Sequence, residues 1–379
     1  MSKAIEDNGT EIITVRAVVE NCIQNHGTPT IILGSGASAA HGLQTMGALA
    51  EELIEIIDED TTVNKHDDWD KFKEELKSTK NLERSLEVIE ENSDLIDVIT
   101  EVTWKLISRS DEQVFLNLLN GKDYLHLSSI ITSLSSGTNP DNNLVVITTN
   151  YDRLAEYACD FADDDYNEYI HYTGFSYGLI RRQDKQFNTI PTIRSRRVLY
   201  NNAGGYSAKI IPIEILKVHG SIDWYETNSG QTRAVANHHC KPESCKPAII
   251  TPGKTKFFKT HLSPYSEVVA RAKQVLEHSK NYLVIGFGFR DEHIHTNLAR
   301  QIRTDGRKNF IVLARTLTEE TKSLFFGENK IESFVLMERA EDQKTRIYLK
   351  SRAEELKEYL LDDQELWSLH DFCKFFLRG

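Results

Sequence analysis

The chain has 379 residues, a length that fits two to three domains or one large α/β domain with insertions. Of these residues, 40% are hydrophobic. Its 45 Lys and Arg residues against 57 Asp and Glu residues give a net charge of −12, which excludes a protein that binds nucleic acid over its whole surface. Five scattered cysteines, with neither an export signal nor a hydrophobic membrane span, predict a cytoplasmic protein.

Short apolar runs rich in β-branched residues predict buried parallel strands, because each ends abruptly and a helical pattern follows. The runs are Thr30–Leu33, Leu144–Thr149, Glu214–Val218 and Tyr282–Phe287, with Ala248–Thr251 and Phe310–Leu313 as further candidates. The predicted helices that cover the sheet are Glu11–Asn25, Met46–Asp58, Tyr265–His278 and Asp291–Thr304. Strands and helices that alternate in this way predict an α/β fold with a doubly wound, Rossmann-like parallel sheet.

The domain organisation follows from where this alternation stops. Residues 59–121 are acidic and show helical spacing, which predicts a helical insertion subdomain that serves as a lid or an oligomer contact. The Rossmann-like domain then comprises residues 1–58 and 122–340. Residues 341–379 form a predicted C-terminal helical extension, with a strand, a charged helix and a final aromatic-rich helix.

The first predicted strand is followed by a glycine-rich turn, Gly34-Ser35-Gly36-Ala37-Ser38-Ala39. Such a turn brings backbone N–H groups and a helix N-terminus close to a pyrophosphate, although glycines there also serve tight packing alone. The acid that a dehydrogenase places after a second strand to hold the adenosine ribose is missing, because the chain is helical from Met46. A hydride-transferring enzyme is therefore disfavoured, whereas dinucleotide binding is not.

Polar residues also follow two further strands. Asn150 and Asp152 follow Thr149, and His219 precedes Gly220. Each could be a helix cap or a turn residue. However, ligands of open α/β sheets bind beyond the carboxyl ends of the strands, where these side chains and the glycine turn would meet. An amide, a carboxylate and an imidazole beside a phosphate-binding turn are suited to cleaving a glycosidic bond in a dinucleotide.

These motifs together resemble the silent information regulator, or sirtuin, superfamily. The residues that carry the resemblance are Gly34 to Ser38, Asn150 with Asp152, His219-Gly220 and Gly286-Phe287-Gly288. The strings Lys-Val-His-Gly-Ser-Ile-Asp-Trp and Gly-Phe-Gly-Phe-Arg-Asp-Glu-His resemble the bacterial branch linked to anti-phage defence.

The resemblance implies NAD as substrate and a role for each motif. Asp152 would bind the nicotinamide carboxamide, Asn150 would position the ribose and a water, and His219 would accept a proton from a ribose hydroxyl. The residues expected to bind the rest of NAD are Gly34, Ser35, Gly36, Ala37, Ser38, Thr149, Gly286 and Gly288. Residues 286–293 would border the adenosine half.

Two features of the deacylating sirtuins are missing. The chain has no Cys-x-x-Cys pair for a zinc ribbon, so we expect neither zinc nor another metal. A weaker candidate for a zinc site is the irregularly spaced group His238, His239, Cys240 and Cys245. The arginine that would contact the nicotinamide ribose is also unidentified.

The resemblance therefore implies an NAD hydrolase that releases nicotinamide and ADP-ribose and acts in anti-phage defence by NAD depletion. Two alternatives stay open, an NAD-dependent deacylase or ADP-ribosyltransferase and a non-catalytic nucleotide-sensing scaffold. The resemblance also implies a homo-oligomer, with the insertion and the aromatic C-terminal helix as contacts, paired with a HerA-like hexameric ATPase. We expect neither direct sequence-specific nucleic-acid binding nor membrane association.

Overall fold

A computed structural model of the chain describes residues 15–20, 22–23, 28–44, 46–59, 67–79, 82–90, 94–136, 144–162, 167–190, 209–236, 241–251, 253, 259–327, 330–341, 344–352, 355–362 and 364–377. Within these ranges, every helix is too short or too polar to span a lipid bilayer. Residues 15–20 are helical, as predicted, and the ends of that predicted helix lie outside the described residues.

The strands and helices alternate along most of the described chain. The strands are β1 (Thr30–Leu33), β2 (Leu144–Thr148), β3 (Asn167–Tyr172), β4 (Ile180–Arg182), β5 (Lys209–Lys217), β6 (Gly220–Glu226), β7 (Thr232–Val235), β8 (Lys246–Ile249), β9 (Asn281–Ile285), β10 (Asn309–Ala314), β11 (Ser333–Arg339), β12 (Thr345–Lys350) and β13 (Lys357–Leu361). The helices are α1 (15–20), α2 (Ser35–Ala39), α3 (Met46–Glu59), α4 (Asp67–Thr79), α5 (Leu82–Leu86), α6 (Asp94–Leu119), α7 (His126–Ser136), α8 (Leu154–Asp160), α9 (Tyr265–His278), α10 (Glu292–Thr304), α11 (Glu319–Phe326) and α12 (Leu369–Phe372), and a π-helical turn (Cys373–Leu377) follows.

The main sheet has the order β13-β12-β11-β10-β9-β1-β2-β5-β3. The strands from β11 to β3 are parallel, and β12 and β13 are antiparallel additions at one edge. In β1, Ile31 pairs with Val146 on one side and Leu283 on the other. The predicted α/β class with a doubly wound parallel sheet is therefore confirmed. The chain winds away from β1 in both directions, so the ends of β1 and β9 flank the switch point where such sheets bind ligands.

Both faces of the sheet are buried, which explains the nearly continuous apolar runs of its strands. Ile31 and Leu33 belong to a core that also contains residues of α1, α7 and α8. Ile32, between them, points to the opposite face and shares a core with α9, α10 and α11.

A second, antiparallel sheet has the order β4-β7-β6-β8. The interpretation of Ala248–Thr251 as a strand of the parallel sheet was therefore wrong, because β8 pairs with β6 in the small sheet. The cause lies at Gly220, which adopts a φ of +83° and directs the chain out of β5 into β6.

The insertion is helical where it is described, and it includes α4, α5 and α6. Helix α3 was predicted to cover the main sheet, but its Leu49 and Leu53 share a separate core with Trp69 and Phe72 of α4. The helix itself was predicted at nearly its observed bounds, and only the surface that it contacts was wrong.

The C-terminal segment is less helical than predicted. Its strands β12 and β13 extend the main sheet, so the predicted charged helix is absent where β13 lies. The burial of β12 alternates residue by residue, which is the period of a strand with one buried face. Phe372 and Phe376 of the final helical segment are buried in the main core, whereas Trp367 and Phe375 are only partly buried.

Candidate active site

The glycine turn after β1 packs directly against the end of β9. Gly34 N donates to Ile285 O and Gly36 N donates to Gly286 O, both at 3.0 Å. Gly286 has a φ of +60°, and a Cβ atom there would lie 2.2 Å from Ala37 N. Glycine at position 286 is therefore required for the close approach of two backbone turns.

The same contacts decide which amides of the turn can meet a ligand. The N–H groups of Gly34 and Gly36 are used by β9 and its turn, and Ala37 N donates to Gly34 O at 3.0 Å. Among the described residues, no acceptor contacts the N–H of Ser35, the first residue of α2. Ser35 N–H thus remains available at the cavity, whereas the glycines mainly provide space.

Asn150 connects the end of β2 to this turn. Its Nδ2 donates to Gly34 O at 3.0 Å and to the Ser38 hydroxyl at 2.9 Å, and its backbone N–H donates to Thr148 Oγ1 at 3.0 Å. These bonds fix the amide plane and leave the side-chain Oδ1 to accept a hydrogen bond from a ligand or a water.

Asp152 is a buried carboxyl group at the wall of the same cavity. Burial raises its pKa to about 6, although the positive charge of Lys217 acts in the opposite direction. The carboxylate accepts hydrogen bonds from Leu154 N, at 3.1 Å, and from the Ser38 hydroxyl. Asp152 therefore changes its ionisation near neutral pH.

His219 follows β5 and is 5% exposed. Its Nε2 lies 3.0 Å from Asp291 Oδ2. The two groups are not aligned for a hydrogen bond, and Nε2 has no hydrogen-bond partner within the described ranges. Because the carboxylate beside it is misaligned, Nε2 makes no hydrogen bond and is available to a ligand hydroxyl or a water.

Asp291 also caps α10, since its Oδ1 accepts from Ile294 N at 3.1 Å. We expected Asp291 to border an adenosine half, yet it faces His219. Asp291 follows β9 and His219 follows β5, and the two side chains meet because these strands end at the same edge of the sheet. The strand order determines this contact, and the local sequence does not show it.

The long insertion helix α6 is joined to the loop that carries Asn150. Asp111 of α6 accepts from Arg153 at its backbone N, Nε and Nη2, at 2.8, 3.1 and 2.6 Å, and from the Tyr157 hydroxyl at 2.6 Å. Trp104 of α6 donates to Ile222 O at 2.8 Å. The insertion is therefore anchored to the loop after β2 and to β6.

The cavity has a volume of about 800 Å³. It is lined by every predicted site residue except Ala37, which is buried behind the turn. Its wall also contains insertion residues, including Leu76, Lys77 and Ile107. The structure thus brings the predicted residues together, and their individual roles stay predictions.

Sequence reasoning missed several polar residues at the cavity and beneath it. Arg315 follows β10 and lines the cavity, and it could have been recognised as a charged residue directly after a buried strand. Lys217 is completely buried at the end of β5, inside the run Glu214–Val218 that was predicted as a buried strand. Its Nζ donates to the Asp152 backbone carbonyl, and to Glu156 Oε1 at 2.9 Å.

Within the described residues, no group of three or more His, Cys, Asp or Glu side chains could hold a metal ion. Of the irregular group named above, His238, His239 and Cys240 lie outside the described residues. Cys245 is a free thiol.

Comparisons with known proteins show what the chain is similar to. Two solved structures are among its matches. One comes from work on the mechanism and regulation of Sir2 enzymes, with 13% identity, 83% of this chain and 90% of that chain covered, and a TM-score of 0.36. The other is a mutant Sir2 homologue in complex with ADP-ribose, with 12% identity, 80% and 86% covered, and a TM-score of 0.38.

A search of curated proteins found no match. The SIR2-like domain, by contrast, matches residues 144–334, which is half of the chain and runs from β2 into β11. The matched segment contains Asn150, Asp152, His219 and the glycine turn after β9. The chain therefore belongs to the SIR2-like domain family, whose members use NAD as a substrate.

Proposed function

We propose that the protein is an NAD hydrolase that cleaves the bond between nicotinamide and ribose to give nicotinamide and ADP-ribose. The observation that carries this proposal is the buried His219 Nε2, which has no hydrogen-bond partner among the described residues and lines the same cavity as Asn150 and the glycine turn. An orphaned imidazole nitrogen next to a fixed amide is suited to binding ribose hydroxyls and a water.

NAD would lie across the switch point of the sheet. Its diphosphate would be close to the Ser35 N–H, and Arg290 and Arg315 at the same cavity supply positive charge beyond the ends of β9 and β10. Its nicotinamide would lie toward Asn150 and Asp152, beyond the end of β2. A cavity of about 800 Å³ is in the range of pockets that bury most of a ligand.

The reaction needs orientation and charge placement more than covalent help. As the glycosidic C–N bond breaks, its electron pair goes to the ring nitrogen of nicotinamide, which leaves neutral, and positive charge develops on the ribose. The Asn150 oxygen would hold the attacking water, whose oxygen forms the new bond to the anomeric carbon. The proton of that water would pass to a ribose hydroxyl as His219 accepts the proton of the same hydroxyl, so that one proton leaves in total, and Asp152 would hold the carboxamide.

The test is to incubate the purified protein with NAD, alone and with a candidate partner ATPase, and to measure nicotinamide by chromatography. We expect Asn150→Ala and His219→Ala each to lower the release by a factor of about 100 or more. Glu277→Gln, at an exposed ion pair on α9, is the control and should leave the rate unchanged. The enzyme hypothesis is rejected if the wild-type protein releases no nicotinamide even with its partner.

The alternatives predict other products or none. A deacylase would yield acetylated ADP-ribose and an ADP-ribosyltransferase would yield modified protein, both of which mass spectrometry detects. A nucleotide-sensing scaffold would bind NAD without releasing nicotinamide, and His219→Ala would not alter its output.

We further propose that this hydrolase acts in the bacterial cytoplasm against phage, by depleting NAD. The support is the resemblance of the strings around His219 and Gly286 to the defence branch. Uncontrolled NAD cleavage would kill the host, so the activity needs a regulator. A HerA-like hexameric ATPase as partner would couple this acidic chain to DNA, which the chain is poorly charged to bind by itself.

A further inference from the structure

Beneath the cavity lies a buried ion pair that the proposed chemistry does not use directly. Lys217, at the end of β5, is completely buried, and it does not line the cavity. Its Nζ donates to Glu156 Oε1 at 2.9 Å and also to the backbone carbonyl of Asp152. The ammonium group of Lys217 thus joins Glu156 of helix α8 to Asp152, which lines the cavity.

This ammonium also links the two strand ends that carry the predicted chemistry. Lys217 lies two residues before His219, and its acceptor lies two residues after Asn150. The backbone connects the same strands there, because Val218 N donates to Thr148 O at 3.1 Å. An ammonium group has three N–H donors, so a buried one needs hydrogen bonds besides its ion pair with Glu156. The further acceptor here is the backbone carbonyl of Asp152, which links the ammonium to the residue that lines the cavity.

The charges around Asp152 show what that role is. Lys217 of β5 favours the ionised carboxylate, whereas Asp111 of α6 disfavours it. The Ser38 hydroxyl of α2 and the Leu154 N–H of α8 donate to the carboxylate. Other titratable groups nearby are Glu156, which pairs with Lys217, Arg153, which pairs with Asp111, and His219, which lines the same cavity. Lys217 is therefore the nearby group whose positive charge offsets burial.

We propose that Lys217 is a positioning residue that keeps the Asp152 carboxylate ionised and directed into the cavity. This proposal rests on the proposed function, in which an ionised carboxylate accepts a hydrogen bond from the carboxamide N–H of nicotinamide. Lys217 touches neither substrate nor reacting atoms, and it acts through Asp152.

The test compares the wild type with the double variant Glu156→Gln/Lys217→Met. The double variant removes both charges of the pair, so neither a buried carboxylate nor a buried ammonium is left without its partner. Lys217→Gln in the same background is a second neutral variant that retains a donor, for use if the methionine variant does not fold. The first readout is the ionisation of Asp152 followed by NMR of ¹³C-labelled aspartate carboxyls, with Asp152→Asn to assign the signal.

We expect the midpoint of the Asp152 titration to move up by about one pH unit or more when Lys217 is neutral. Nicotinamide release at pH 7 should fall about twofold relative to the wild type for a shift of about one pH unit, and about tenfold for a shift of about two pH units, and it should recover as the pH is raised. An unchanged titration midpoint overturns the proposal, as does a rate loss that is equal at all pH values. If the midpoint moves while the wild type releases no nicotinamide, the role of Lys217 stands and the proposed hydrolase activity fails.

Discussion

At the scale of single residues, Asp152 places stability and function in conflict. Burial raises its pKa to about 6, so the folded protein binds the proton more tightly than the unfolded chain does. The stabilisation that comes from this tighter proton binding is fully present below the ordinary pKa of a carboxyl group. It is lost as the pH rises through about 6. At neutral pH the ionised carboxylate therefore costs stability, which is a common price at an active site.

Asp152→Asn tests this conflict directly. The amide has no charge to bury, so we expect the variant to gain about 1–3 kcal/mol relative to the wild type at pH 7.5. That gain should shrink as the pH falls through about 6 and vanish near roughly pH 4. Thermal unfolding of both proteins across this pH range measures the difference in their unfolding free energies. If that difference is the same at every pH, ionisation of the Asp152 carboxyl does not destabilise the fold.

Sequence reasoning identified Asn150, Asp152 and His219 because each follows a buried strand, and parallel strands end at one edge of a sheet. It misplaced Ala37, since a turn motif does not show which of its residues face inward. It also did not predict the contact between Asp291 and His219, which joins residues more than seventy positions apart.

At the scale of elements, the insertion helix α6 is held to the β2 loop by a buried ion pair. The side chains of Asp111 and Arg153 are 0% and 6% exposed, and they form several short hydrogen bonds. A buried pair contributes little over a hydrophobic replacement, but breaking it leaves a charge without a partner. The position of Asn150 and Asp152 thus depends on a helix from another part of the chain.

We expect Asp111→Asn to destabilise the protein by about 3–5 kcal/mol, because the Arg153 guanidinium stays buried without a counter-charge. Denaturant unfolding gives this value. The matched control is Glu277→Gln, which removes an exposed pair with Arg300 and should cost less than about 1 kcal/mol. Equal effects of the two changes would mean that α6 is not anchored through Asp111.

At the scale of the whole molecule, two sheet edges carry exposed apolar side chains. Leu179 and Ile180 at β4 are 80% and 70% exposed, and Leu356 and Leu360 at β13 are also exposed. Exposed apolar edges promote association unless something covers them. The predicted contacts through the insertion and through the aromatic C-terminal helix both stay predictions.

We therefore expect a homo-oligomer in solution, because association would cover these edges. Light scattering at several protein concentrations measures the mass. A mass equal to one chain at every concentration contradicts the prediction and would leave the edges to a different partner.

The sequence by itself determined the fold class, the glycine turn and the polar residues at the strand ends, because these depend on local patterns of burial and on backbone space. Only the tertiary structure decided that Asp291 faces His219, that Lys217 lies beneath Asp152 and that α3 packs on the insertion. It also decided that β12 and β13 extend the sheet. Each of these depends on which distant elements become neighbours, and that is set by strand order and packing rather than by any local pattern.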